Sequence, residues 1–441
     1  MNTVIPANVI DGYLSEIEIS DLNKASIRQI GAVVANAETV TGQEFIHFEM
    51  GIPGIAPSSF GVKAQKEALD RGVASKYPSI EGIPELKEQA ARFVKAFINT
   101  DIDPKHCTPT CGAMQGTFAA FLLCSQIDPK KDTILYIDPG FPVQKMQAQV
   151  MGVKYLSFDV ADYRAEKLGE KLESILSKGN ICCVVYSNPN NPSWMCLNVD
   201  EIRTIGELAT KYDTIILEDL AYMTMDFRRE GLGIPFKAPY QVSVSHYTDN
   251  YIMMISGSKI FSYAGERIAV ACISDKLFER SFDALHERYG ISRFGGAYAY
   301  NMLYAMSSGV THSAQCAMAA MMKAASDGEY NFREDVREYA RRTEKIKAAL
   351  LRNGFHITYD KDLDETVSDG FFFTFGYRLP DGSDMEGGSL LHQLLYFGIS
   401  GIVLSSTGST KQGIRGCSSN IREDQFPVLE ERLRLFNEAH R

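Results

Sequence analysis

The run Ile181-Cys182-Cys183-Val184-Val185-Tyr186 holds six residues without one charge and without polar alternation. A stretch of this length and pattern predicts a strand buried on both faces, which requires helices above and below its sheet. The flanking sequence supplies them. Strands are predicted over 133–137, 155–160, 214–217, 251–256 and 268–273. Helices are predicted over 142–151, 166–177 and 199–210, with another starting near Ala113. Strand–helix alternation of this kind predicts an α/β fold with a mostly parallel sheet. In such sheets ligands bind beyond the carboxyl ends of the strands.

At 441 residues the chain has room for two domains. After Asp275 it turns helical, over 276–289, 297–307 and 331–351. Strands follow at 371–375, 401–404 and 413–417, with helices over 389–396 and from Glu423. This is a smaller α+β unit. Ahead of the sheet, helices are predicted over 24–36 and from Pro84 to Ile98, where Pro84 suits a first helical turn. With 45 % hydrophobic and 23 % charged residues the composition is that of an ordinary globular protein. A net charge of −10 argues against nucleic acid as a partner. No apolar stretch is long enough to span a bilayer, and no signal peptide is expected. Nine scattered cysteines without C-x-x-C spacing fit a reducing, cytoplasmic setting. His106, Cys107 and Cys111 lack a fourth ligand for zinc.

Chemistry concentrates after the strand Tyr251-Ile252-Met253-Met254-Ile255, in Ser256-Gly257-Ser258-Lys259, with Arg267 eight residues beyond the lysine. Most lysines are solvated surface charges. One that directly follows a buried strand is desolvated, its pKa falls, and the neutral amine can form a Schiff base with a carbonyl. Glu218-Asp219-Leu220-Ala221-Tyr222 ends another buried strand. Gly112-Ala113-Met114 opens a helix, whose N-terminal amides suit a phosphate. Asp138-Pro139-Gly140-Phe141-Pro142, Asn188-Pro189-Asn190-Asn191-Pro192-Ser193 and Phe48-Glu49-Met50-Gly51 are turn-rich stretches at or near strand ends. Each alone is ambiguous, since the same residues serve as helix caps, turns or core.

Taken together and in order, these stretches resemble the cofactor motifs of the class I/II aminotransferases, the pyridoxal phosphate enzymes of the aspartate aminotransferase superfamily. The resemblance covers roughly residues 48–420 and implies fold type I, with a large domain over 48–315 and a small domain from 1–47 and 316–441. It implies that Lys259 holds pyridoxal 5′-phosphate as a Schiff base and moves the substrate Cα proton. Asp219 would face the pyridine nitrogen, Tyr222 and Asn191 the phenolic oxygen, and Phe141 would stack on the ring. Gly112, Ala113, Met114, Ser256, Ser258 and Arg267 would cradle the phosphate, joined by Tyr77 from a neighbouring subunit of a homodimer. Arg415, in Gly413-Ile414-Arg415-Gly416-Cys417, would grip the substrate α-carboxylate with the Gly51 amide. Arg293 would meet a distal carboxylate in the neighbouring subunit's site. Trp194 stands where the family usually has glycine and is a candidate lining residue.

The implied activity moves an amino group from an L-amino acid to a 2-oxo acid. The same parts also support C–S β-lyase chemistry, because fold and cofactor do not fix the reaction. A non-enzymatic regulator with a domain of this kind would need a winged helix ahead of it, for which the N-terminal segment is too short and too acidic.

Overall fold

The computed structural model describes residues 3–441. Seven strands form a central sheet: β1 (Cys107–Cys111), β2 (Thr133–Asp138), β3 (Lys154–Asp159), β4 (Ile181–Ser187), β5 (Ile215–Asp219), β6 (Tyr251–Ser256) and β7 (Ile268–Ile273). Their order is β1-β7-β6-β5-β4-β2-β3. β2 through β6 pair in parallel, and β7 runs antiparallel to both β6 and β1. The carboxyl ends of β1, β2, β4, β5 and β6 and the start of β7 therefore share one edge of the sheet.

Every residue of β2, β6 and β7 is buried, and β4 is buried up to its last residue. That is why these strands read as unbroken apolar runs. The edge strand β3 exposes its first four residues. Between β4 and β5 the helix Val199–Lys211 starts on a reciprocal cap of Asn198 and Glu201.

A second core draws on residues from Ile5 to Phe48 and from Ile346 to Phe436. It surrounds a four-stranded antiparallel sheet built from β8 (Phe355–His356), β11 (Phe372–Tyr377), β12 (Ile402–Val403) and β13 (Ile414–Cys417), in the order β12-β13-β11-β8. A short ribbon, β9 (Lys361–Asp362) with β10 (Glu365–Thr366), stands apart from it. The segment 46–48 is stitched to this unit by Ile46 N–H to Gly398 O at 2.8 Å and Cys417 N–H to Phe48 O at 3.0 Å. From there it runs on to Gly51 and the sheet edge.

Several expectations change. The helix expected over 24–36 is Ile27–Thr41, because the Ser26 side chain caps it. The stretch 276–289 is two helices, Asp275–Glu279 and Asp283–Tyr289. β1 was not anticipated. The helix His312–Ser326 buries twelve of its fifteen residues, which erases the amphipathic period that marks a helix. Residues Val310 to Tyr339 pack into the first core, so much of 316–339 goes with the large sheet and not with the C-terminal unit.

Candidate active site

The edge of the sheet and the incoming 47–52 segment enclose a cavity of about 820 Å³. Its lining includes Gly51, Ala113, Met114, Phe141, Asn191, Asp219, Tyr222, Ser256, Ser258, Lys259, Arg267 and Arg415. Eight stretches spread from Gly51 to Arg415 thus deliver these residues to one space.

At the end of β6 the Ser256 hydroxyl accepts from Ser258 N–H at 3.2 Å and turns the chain into a short helical turn that carries Lys259. The Lys259 amine hydrogen-bonds the Gly51 carbonyl and lies 5.0 Å from the Phe371 ring centre. Burial pushes this amine down to about 8, and the Arg415 and Arg267 charges act in the same direction.

Asp219 ends β5. Its Oδ2 accepts from Gln144 Nε2 at 3.0 Å and its Oδ1 from Ala221 N–H at 3.2 Å. Burial raises its pKa to about 6, and no cation offsets that. Tyr222 packs edge-on against Trp194, Phe371 and Phe372 or tilted to them, at ring distances of 5.4 to 5.6 Å. Burial lifts its phenol well above the usual range. Asn191 has a buried side-chain oxygen without a partner.

Gly112 has φ +68°, and a Cβ there would collide with the Arg267 guanidinium. Only glycine lets that cation sit against the first turn of the helix Gly112–Cys124. Arg267 itself has φ +51° and donates to Ala264 O at 2.7 Å. Arg415 comes from β13, paired with Thr374 of β11. It is buried, stacks 5.0 Å over Phe372 and donates to the Glu49 carbonyl, and the Glu49 carboxylate acts on its charge without an ion pair, yet its Nε has no acceptor.

Trp194 stands outside the cavity, and Arg293 and Tyr77, both expected to act from a neighbouring subunit, lie away from it in their own chain. Trp194 is fully buried, with φ +61°, and packs against Gly370 and behind Tyr222 instead of lining the cavity. Arg293 pairs with Glu279 at 2.9 Å, just beyond the end of β7. β7 descends from the cavity, since Ala269 sits beside Ser256 and Ile273 beside Ile252. Within one chain Arg293 is therefore about 20 Å from the Lys259 end, at ~3.3 Å per strand residue. Tyr77 is 91 % exposed and borders a separate cavity with residues 307–313.

Sequence reasoning missed Gln144, Phe372, His47 and Glu49. Gln144 carried a signal: it follows Phe141-Pro142 by one helical step, at the mouth of the same edge. His47 and Glu49 carried none.

The family model for aminotransferase class I and II matches residues 45–375. The chain belongs to the class I and II aminotransferases. This aminotransferase is 25 % identical over 345 residues to the probable aspartate aminotransferase of Methanocaldococcus jannaschii, covering 78 % of this chain and 80 % of that protein. It is 23 % identical to the LL-diaminopimelate aminotransferase of Dehalococcoides mccartyi, over 73 % of this chain and 75 % of the other. The aspartate aminotransferase of Thermus thermophilus solved with maleate shares the fold at TM-score 0.74 and 17 % identity, over 93 % and 96 % of the two chains. The family cofactor is pyridoxal phosphate, and the cavity fits it. A buried carboxylate without a cation, an orphaned amide oxygen and a guanidinium against a glycine helix start are what a protonated pyridine and a phosphate would satisfy.

Proposed function

We propose that Lys259, Asp219 and Arg415 run amino-group transfer from an L-amino acid to a 2-oxo acid in this cavity. Pyridoxal phosphate, when bound, supplies the electron sink for the bond broken at the substrate Cα. Asp219 would hold a proton at the ring nitrogen, oriented by Gln144 and the Ala221 amide. Tyr222 and Asn191 would meet the phenolic oxygen, Phe141 the ring face, and Gly112, Ala113, Met114, Ser256, Ser258 and Arg267 the phosphate. The Lys259 amine, held near pKa 8, is neutral in a useful fraction near neutrality and can take and return the Cα proton. Arg415 would grip the α-carboxylate bidentately, since its Nε has no partner in the chain.

One observation carries the reading. Asp219, Lys259 and the fully buried Arg415 converge on one cavity, and among the described residues none of the three forms an ion pair. Unpaired buried charges are costly unless a ligand completes them. We also place the protein in the cytoplasm as a homodimer. Nine free cysteines suit a reducing compartment, and the 91 % exposure of Tyr77 suits a residue that reaches a neighbouring subunit. A strictly monomeric active enzyme would remove the shared site.

The test is a donor screen on purified holoenzyme with a 2-oxo acid acceptor. Amino-acid product should form in step with the donor's oxo acid. Release of ammonia with pyruvate in its place would make the enzyme a β-lyase.

A further inference from the structure

The short segment from Phe48 to Gly51 serves both cations at the centre of the cavity. Its Glu49 carbonyl accepts from Arg415 and its Gly51 carbonyl from Lys259. Up to Phe48 the backbone is anchored, by Ser400 N–H to Ile46 O at 3.1 Å and Phe48 N–H to Ser400 Oγ at 3.2 Å. Beyond it, among the described residues, neither the Met50 nor the Gly51 amide donates to a backbone carbonyl. The Glu49 side chain takes over that anchoring. It is buried, its Oε2 accepts from the Ser400 hydroxyl, and its Oε1 meets His47 Nδ1 at 3.0 Å.

His47 carries the tie onward. Its Nε2 meets Oε1 of Glu38, on the helix Ile27–Thr41, at 3.0 Å, and the same oxygen accepts from Phe45 N–H at 2.8 Å. One imidazole thus joins a helix that borders the cavity to the segment that serves Arg415 and Lys259. A neutral imidazole has a single N–H and would turn a lone pair on one of the two carboxylates; only the protonated ring satisfies both. The surrounding charges are Glu38 and Glu49 in contact, Glu44 paired with Arg422 at 2.9 Å, Arg415 beyond Glu49, and Arg432 beyond Glu38 and Glu44. The hydrogen bond with Glu49 raises the ring to about 8 against the effect of burial.

We propose that His47 is a positioning residue for the carboxylate clamp: by bridging Glu38 and Glu49 it holds the segment where Arg415 and the Gly51 amide take the substrate's α-carboxylate. The proposal rests on the amino-transfer reading, with Arg415 on that carboxylate. Both ring nitrogens are engaged within the chain, so His47 acts through the segment and not on the substrate. Carboxylate binding is then tight while the ring is protonated and weakens as pH rises through 8.

Calorimetry of butanoate, a bare carboxylate, on holoenzyme at pH 7 and pH 9 tests this in unmodified protein, His47→Gln and His47→Lys. At pH 7 His47→Gln should bind butanoate about 10-fold more weakly than unmodified protein, and at pH 9 the two should agree within about 2-fold. His47→Lys keeps the charge and should bind more tightly than unmodified protein at pH 9. Comparison at each pH cancels the titration of Lys259, which all three share. In steady state His47→Gln should raise KM at pH 7 and leave kcat within about 2-fold. Should His47→Gln not fold, Glu38→Gln removes the same bridge and should weaken butanoate at pH 7 and not at pH 9. Equal weakening at both pH values, a lower melting temperature with unchanged butanoate affinity, or no butanoate binding by unmodified holoenzyme would overturn the proposal. The donor screen judges amino transfer separately. A transaminase without the pH 7 weakening refutes His47 alone. A protein that transfers no amino group yet shows that weakening refutes the amino-transfer reading and keeps His47 behind the clamp.

Discussion

The Gln144 amide donates to Asp219 Oδ2 at 3.0 Å, yet no cation reaches that carboxylate. Gln144 fixes its direction without neutralising it. The folded pKa is near 6 against 3.8 when unfolded, so burial of the ionised group destabilises the cofactor-free protein above pH 6.

Asp219→Asn should therefore raise the melting temperature of cofactor-free protein at pH 7 while lowering turnover of holoenzyme by on the order of 100-fold or more, with a smaller change in KM. Thermal scans and steady-state kinetics check the two halves. Near-native turnover would remove Asp219 from the ring nitrogen.

His47 predicts a pH-dependent stability. Its Nδ1 meets Glu49 Oε1 and its Nε2 meets Glu38 Oε1, each at 3.0 Å, tying the helix Ile27–Thr41 to the segment whose Glu49 carbonyl holds Arg415. The hydrogen bond with Glu49 chiefly raises the imidazole from 6.5 to about 8, against its burial. Burial pulls the Glu49 carboxyl up, but the His47 and Ser400 hydrogen bonds bring it below its ordinary value. Glu44 lies near enough to feel the same charge, and Glu49 also acts on the Arg415 guanidinium as Glu44 and Glu38 act on Arg432. The folded state holds the extra proton between pH 6.5 and 8. The stabilisation is whole below 6.5 and lost as pH rises through 8. Urea unfolding at pH 6 and pH 9 should show this loss, and His47→Gln should flatten it. A His47→Gln protein with the same pH slope would contradict the assignment.

What the sequence disclosed follows from where physics leaves a local mark. Lys259, Asp219 and Arg267 follow or precede strands that read as unbroken apolar runs because both faces are covered, so the site edge could be located from one dimension. β1, in contrast, is five residues long with a proline and two threonines, and it becomes a strand only by pairing with β7. The helix His312–Ser326 is buried nearly all round and lost its period. The spacing of Arg293 from Lys259 is compatible with either end of β7, and the strand's direction alone puts it at the far end within its own chain. Glu49 and His47 acquire meaning only from Glu38 and Ser400, contacts that no local pattern encodes.

Trp194 gives a stability prediction. It is fully buried behind Tyr222, and its indole N–H has no acceptor. Trp194→Ala should cost about 3–5 kcal/mol by leaving a cavity. Trp194→Phe should cost less, because no hydrogen bond is lost with the indole. Denaturant midpoints compare them. If the two variants were equally destabilised, packing behind Tyr222 would not be the reason for the tryptophan.

The central claim is that Lys259 is the amine that carries the cofactor. Borohydride reduction of the holoenzyme followed by peptide mass mapping tests it most directly. The pyridoxyl mass should appear on the peptide containing Ser256-Gly257-Ser258-Lys259 and disappear in Lys259→Ala. A label on any other lysine, or none on unmodified holoenzyme, would contradict the account.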